Sequence, residues 1–126
     1  MDRFIKDVFL ELAPLLPEQW EKAVFHGFFS GGTYDFAVYV RKQGETHYCS
    51  ILDMVSNNLL SRQLVRDKYA AINSALSDEN NILSVESRWN GITMVFDNDF
   101  HFSVQYEYEN ENRSHTAEWG RKYLSI

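Results

Sequence analysis

The sequence has a single cysteine, two prolines and fewer basic than acidic residues, and each shortage removes a class of protein. With Cys49 alone, no internal disulfide and no cysteine-rich zinc cluster can form, and a lone thiol is most easily kept reduced inside a cell. Twelve Lys and Arg against 18 Asp and Glu leave a net charge of −6 and an isoelectric point near 5.1. Affinity for DNA or RNA rests on cations that neutralise phosphates, so nucleic acid is not an expected ligand and a basic partner is. No apolar run is long enough to span a bilayer, and Arg3, Lys6, Asp7 and Glu11 interrupt what would be the apolar core of an export signal. A cytoplasmic protein without membrane contact is expected.

What the 126 residues do contain is aromatic bulk, with 9 Phe, 7 Tyr and 3 Trp to build one core. A single domain over 1–126 would bury roughly two-thirds of the surface that the unfolded chain exposes. Phe4, Ile5, Val8, Phe9 and Leu12 recur at spacings of four and three, which predicts an amphipathic helix ending near Leu16, where Pro14 and Pro17 remove amide donors. Strand-like alternation starts at Trp20 and resumes at Tyr34, across a Ser30-Gly31-Gly32 turn, and a third strand is expected over 47–54. The longest helix is expected over 57–76, capped by Asn57 or Asn58. After an ambiguous stretch at 82–89, strands at 92–96 and 100–108 flank the turn Asp97-Asn98-Asp99, and 113–124 is expected to be helical. The predicted architecture is α+β: an antiparallel sheet of about five strands, in the order α-β-β-β-α-β-β-α, with helices on one face.

Few residues invite catalysis. His47 and Cys49 would share one face of a strand, yet no third group is placed to orient the base, and a buried structural cysteine is the simpler account. Asp97, Asp99 and His101 alternate around a turn, as at any solvated hairpin tip, and no zinc-protease or EF-hand spacing accompanies them. Neither a metal nor another cofactor is expected, and Ser30-Gly31-Gly32 is too short to cradle a phosphate.

The strongest asymmetry is local. Asp97, Asp99, Glu107, Glu109 and Glu111 fall within fifteen residues that hold no Lys or Arg, interleaved with Phe100, Phe102, Tyr106 and Tyr108. Alternation puts Phe100, Phe102, Val104, Tyr106 and Tyr108 on a core face and His101, Ser103, Gln105, Glu107 and Glu109 on a wet one. Acidic groups with tyrosines at hand suit the capture of a basic protein, because charge speeds encounter and aromatic rings anchor contact.

Several residues then fall into a family pattern: Leu16-Pro17-Glu18-Gln19-Trp20-Glu21-Lys22 after the first helix, and the Gly31-Gly32 turn. Trp89 precedes the hairpin of 92–96 and 100–108, and Arg113, Trp119 and Lys122-Tyr123-Leu124 follow it. In this order the chain resembles the YezG-like immunity proteins, the antitoxins of secreted polymorphic toxins, over essentially its whole length. It departs in having Asp97-Asn98-Asp99 at a turn where relatives often carry glycine, and in ending at Ile126 without an extended tail.

The resemblance implies a cytoplasmic protein that binds a cognate toxin domain, commonly a nuclease, and blocks its activity; a non-enzymatic protein, monomeric or weakly dimeric, is expected. The expected toxin contacts are Asp97, Asp99, Tyr106, Glu107, Tyr108, Glu109 and Glu111. Trp20, Trp89, Trp119 and Tyr123 are expected to pack the core. A small acidic secretion chaperone is the alternative, distinguished by holding an extended segment of an exported partner where an immunity protein covers a folded catalytic domain. A small hydrolase or ligand-binding domain would need a concave pocket with convergent polar groups.

Overall fold

In the computed structural model, residues 3–30 and 32–108 are described, and the expected helix at 113–124 lies outside them together with Glu109 and Glu111. The first apolar stripe forms α1 (Arg3–Leu12), which buries Ile5, Val8 and Leu12. The helix then tightens into a 3-10 turn over Ala13–Leu15, with Pro14 inside it. A proline near a helix start lacks only an amide that would be unbonded anyway, so this turn accepts it.

Two long strands follow, β1 (Trp20–Ser30) and β2 (Thr33–Lys42). They pair from Trp20 opposite Lys42 to Ser30 opposite Thr33, with a bulge where Glu21 is inserted. The expected strand over 47–54 shrinks to β3 (Cys49–Ser50), and the rest becomes a short helix, α2 (Ile51–Ser56). Ser50 ends the strand because its hydroxyl accepts the Leu52 amide and caps the helix. The expected cap of the long helix is also displaced. Asn58 stands at a φ of 61°, while Leu59 N–H donates to Met54 O and Asn58 N–H to Val55 O. That is the left-handed closure of the preceding helix, and α3 starts later, at Arg62–Asn81, capped by Ser61.

The segment 82–89 is an ordered connection with a 3-10 turn at Val85–Ser87. The Asn80 side chain pins it, donating to Trp89 O and accepting from Trp89 N. It leads into the hairpin β4 (Gly91–Asp97) and β5 (Phe102–Glu107). The five-stranded order is β3-β2-β1-β4-β5, antiparallel at every pairing.

On one face of the sheet, Phe25, Phe36, Val38, Val40, Ile92, Met94 and Phe96 meet Val8, Leu12, Ile72 and Leu76 from α1 and α3. Trp89 joins this core, and Trp20 packs against it half-buried, beside Phe9. The opposite face is apolar along β1 and β2 as well, where Val24, Ala37 and Tyr39 are buried. Deep in that face sits His26, with no solvent exposure. No helix among the described residues is long and apolar enough to cross a membrane.

Candidate functional site

The β4–β5 turn is built by Asp97. Its N–H donates to His101 O, and Phe100 N–H donates to Asp97 O. This is a three-residue hairpin loop, whose last residue must turn left-handed. Phe100 takes that place at a φ of 65°. The Asp97 carboxylate accepts from Asp99 N at 3.0 Å and His101 N at 2.9 Å. The bond from the His101 amide, ahead of that from Asp99, holds the Asp97 carboxyl below its ordinary pKa. Asn98 N–H donates to Glu21 O and so ties the tip to the start of β1.

Phe100 is therefore a correction to the expected core face. Its backbone leaves the strand before β5 begins, and its ring is 71 % exposed and meets Phe9 edge-to-face, with centroids 6.4 Å apart. Further along, the alternation holds in direction, because Phe102, Val104 and Tyr106 lie opposite Phe96, Met94 and Ile92. Burial does not follow: Val104 is half-buried, while Phe102, Tyr106 and Tyr108 are exposed. Among the described residues β5 is the outermost strand and β4 alone flanks it, and the Tyr106 ring centroid lies 5.5 Å from that of Trp89.

The expected wet face is corrected in the other direction at Glu107. Its side chain is 29 % exposed and turns inward, with Oε1 3.5 Å from Nε2 of His26. It crosses Gly91, where an added Cβ would lie 3.0 Å from both the Cβ and Oε2 of Glu107. Burial depresses the His26 pKa, and the nearby Glu107 carboxylate opposes that shift only in part. The imidazole is thus neutral at pH 7, and the negative charge of Glu107 is not cancelled.

The acids do not converge on one spot. Asp97 and Asp99 sit at the tip and Glu107 at the far end of β5, about 20 Å apart at strand rise, with Ser103 and Gln105 exposed between them. They line one edge of the sheet. At the tip, ligand atoms of Asp97, Asp99 and His101 lie within 4.8 Å of one another. That spacing could admit a cation, but the Asp97 carboxylate is already engaged by the turn's own amides.

The other sequence candidates separate. His47 is exposed and lies outside β3, whereas Cys49 is half-buried on it, so the expected shared strand face does not form. The depression lined by Pro17, Glu18, Gln19 and Lys42 holds one carboxylate and one ammonium, with no nucleophile and base in contact. The sequence pattern did not point to two residues of the site, Phe100 at the hairpin tip and His26 on the central strand β1, which Glu107 meets. The first could have been found from the three-residue loop, the second as a histidine between the apolar positions Phe25 and Phe28 of a central strand.

No curated protein sequence matches the chain. Residues 1–124, nearly its full length, match the family described as immunity protein YezG-like. The chain belongs to the YezG-like immunity protein family.

Proposed function

We propose that the protein is a cytoplasmic immunity protein that binds a cognate secreted toxin domain and occludes its catalytic cleft, the toxin being a nuclease of a polymorphic toxin system. The observation that carries this reading is the acidic edge on a member of an immunity family: Asp97, Asp99 and Glu107 stand along the β4–β5 hairpin, with no Lys or Arg from 97 to 111. A nuclease cleft is lined with cations placed for phosphates. A line of carboxylates offers those cations a rigid substitute that cannot be cleaved. Inhibition then needs no chemistry from the immunity protein, only coverage.

Charge would steer the encounter, and exposed rings would hold the complex. Electrostatic steering raises association rates, while buried aromatic contacts carry most of the affinity of an interface. Phe100, Phe102 and Tyr108 supply such rings beside the acids. Glu109 and Glu111 extend the acidic run in sequence.

The test is to search the neighbouring reading frame for a C-terminal toxin domain, co-express that candidate with the protein, scored by growth, and add the purified protein to a nuclease assay of the candidate. Rescue of growth with loss of nuclease activity is expected. A toxin that stays active in the presence of excess protein would overturn the proposal.

A further inference from the structure

The outer side of β5 is a strand edge, and its hydrogen-bonding direction can be read from the turn. Asp97 and His101 form a bonded pair across the hairpin, with Asp97 N–H donating to His101 O. In an antiparallel ladder bonded and non-bonded pairs alternate. Ser103 and Gln105, opposite Val95 and Thr93, therefore direct their amides and carbonyls toward β4, whereas Phe102 and Val104 direct theirs away from it. No strand lies on that side among the described residues.

We propose that the partner binds by adding a strand to this edge, pairing its backbone with Phe102 and Val104. This rests on the function proposed above and specifies how the toxin is held. Strand addition draws affinity from main-chain bonds and specificity from alternate side chains. Here the two sides of the edge differ. One presents Phe102, Val104 and the Tyr106 ring, and the other presents Asp97, Ser103, Gln105 and Glu107. The segment that fits has basic residues alternating with apolar ones, the apolar set meeting the rings and the basic set meeting the carboxylates.

Charge selects this occupant over a second copy of the chain. Two β5 edges pairing with each other would bring two sets of Asp97, Asp99 and Glu107 together with no Lys or Arg on either hairpin from 97 to 107. Like charges at such close range oppose the pairing. Exposed edges are ordinarily guarded against association, frequently by lysine. An edge guarded only by acids still admits a basic strand.

The experiment is residue-resolved amide hydrogen exchange on the full chain, alone and saturated with a catalytically inactivated form of the toxin domain that the co-expression test identifies. The Phe102 and Val104 amides should exchange quickly in the unbound chain and slow at least about tenfold in the complex, while Ser103 and Gln105 change little. Val104→Pro removes an outward donor without removing a bond to β4, as edge positions tolerate. It should weaken toxin binding at least tenfold.

If the toxin is bound and inhibited while Phe102 and Val104 stay fast, strand addition is wrong and the proposed function stands. If those amides are already slow in the unbound chain, the edge is covered by residues 109–126 or by a second copy, and the proposal falls. If no complex forms and the toxin stays active, both readings fall together.

Discussion

The Glu107 carboxylate folds back across Gly91 and stands 3.5 Å from Nε2 of the buried His26. Because burial lowers the His26 pKa in the native state, the unfolded chain binds more protons in mildly acid solution. Stability from this site is complete above the unfolded value of 6.5 and is lost as pH falls below it and through the depressed native value. A single site contributes a slope of at most about 1.4 kcal/mol per pH unit. Urea unfolding at pH 7.5, 6.5 and 5.5 should show this decline in the wild type and a smaller one in His26→Met. Equal acid slopes in the two proteins would refute it. Glu107→Gln removes the charge that holds the His26 pKa up, so its loss should extend to lower pH.

Gly91 lets the Glu107 side chain pass. Gly91→Ala would force its new Cβ to 3.0 Å from the Cβ of Glu107, an atom that no rotamer moves away. Overpacking of this kind costs about 1–3 kcal/mol. Glu107→Ala removes only the carboxylate contacts, so the double variant should lose less than the sum of the two single losses. Because alanine keeps the Cβ, a denaturation cycle that adds within error would show that the Glu107 carboxylate does not crowd position 91.

How much of this could be read beforehand depends on the element. α1, β1, β2 and the β4–β5 hairpin follow from apolar spacing and turn residues, since each keeps one period throughout. The segment 47–61 does not. Ile51, Leu52, Met54 and Val55 look like a strand, but Ser50, followed three residues later by Asp53, is a helix start. Asn58 gave the right chemistry at the wrong end of a helix, because asparagine suits both an N-cap and a left-handed C-terminal closure. At the acidic edge, composition located the carboxylates but alternation could not report burial. Among the described residues β5 has one neighbour and its rings are exposed, and Glu107 reaches a histidine that is distant in sequence. Such a contact exists only once the strand order is known.

Phe100 occupies a backbone position that favours glycine. A left-handed conformation costs an L-residue about 1–2 kcal/mol, while glycine carries an entropic penalty of about 0.5–1 kcal/mol. Phe100→Gly should therefore leave stability unchanged or raise it by up to about 1 kcal/mol, although it removes the edge contact with Phe9. Affinity for the toxin domain should fall, because a largely exposed ring at the tip is lost. Destabilisation beyond about 1 kcal/mol would show that the Phe9 contact outweighs the backbone strain.

Tyr69, on α3, packs its ring against Phe36, and its hydroxyl is buried with no hydrogen-bond partner among the described residues. Burial accordingly pushes the hydroxyl pKa well up. An unsatisfied buried hydroxyl costs about 1–3 kcal/mol relative to water. Tyr69→Phe keeps the ring and should raise stability by about 1 kcal/mol, measured as a higher urea midpoint with an unchanged slope. A lower midpoint would mean that the hydroxyl does make a stabilising bond in solution.

Asp99 separates the electrostatic role of the edge from its structural one. It is exposed at the tip, and it is the backbone amide, not the carboxylate, that enters the turn's bonding. Asp99→Lys should therefore change stability by no more than about 0.5 kcal/mol. Glu107→Lys, by contrast, would place a cation against the buried His26 and destabilise the sheet. For Asp99→Lys the expected effect is kinetic: association with the toxin domain slows several-fold at low salt, and the difference shrinks near physiological ionic strength, where screening acts over about 8 Å. Dissociation should change little, because a rim charge guides encounter more than it holds the complex. Stopped-flow association measured across a salt series decides the matter, and rates equal to wild type at the lowest salt would remove the hairpin tip from the toxin-facing surface.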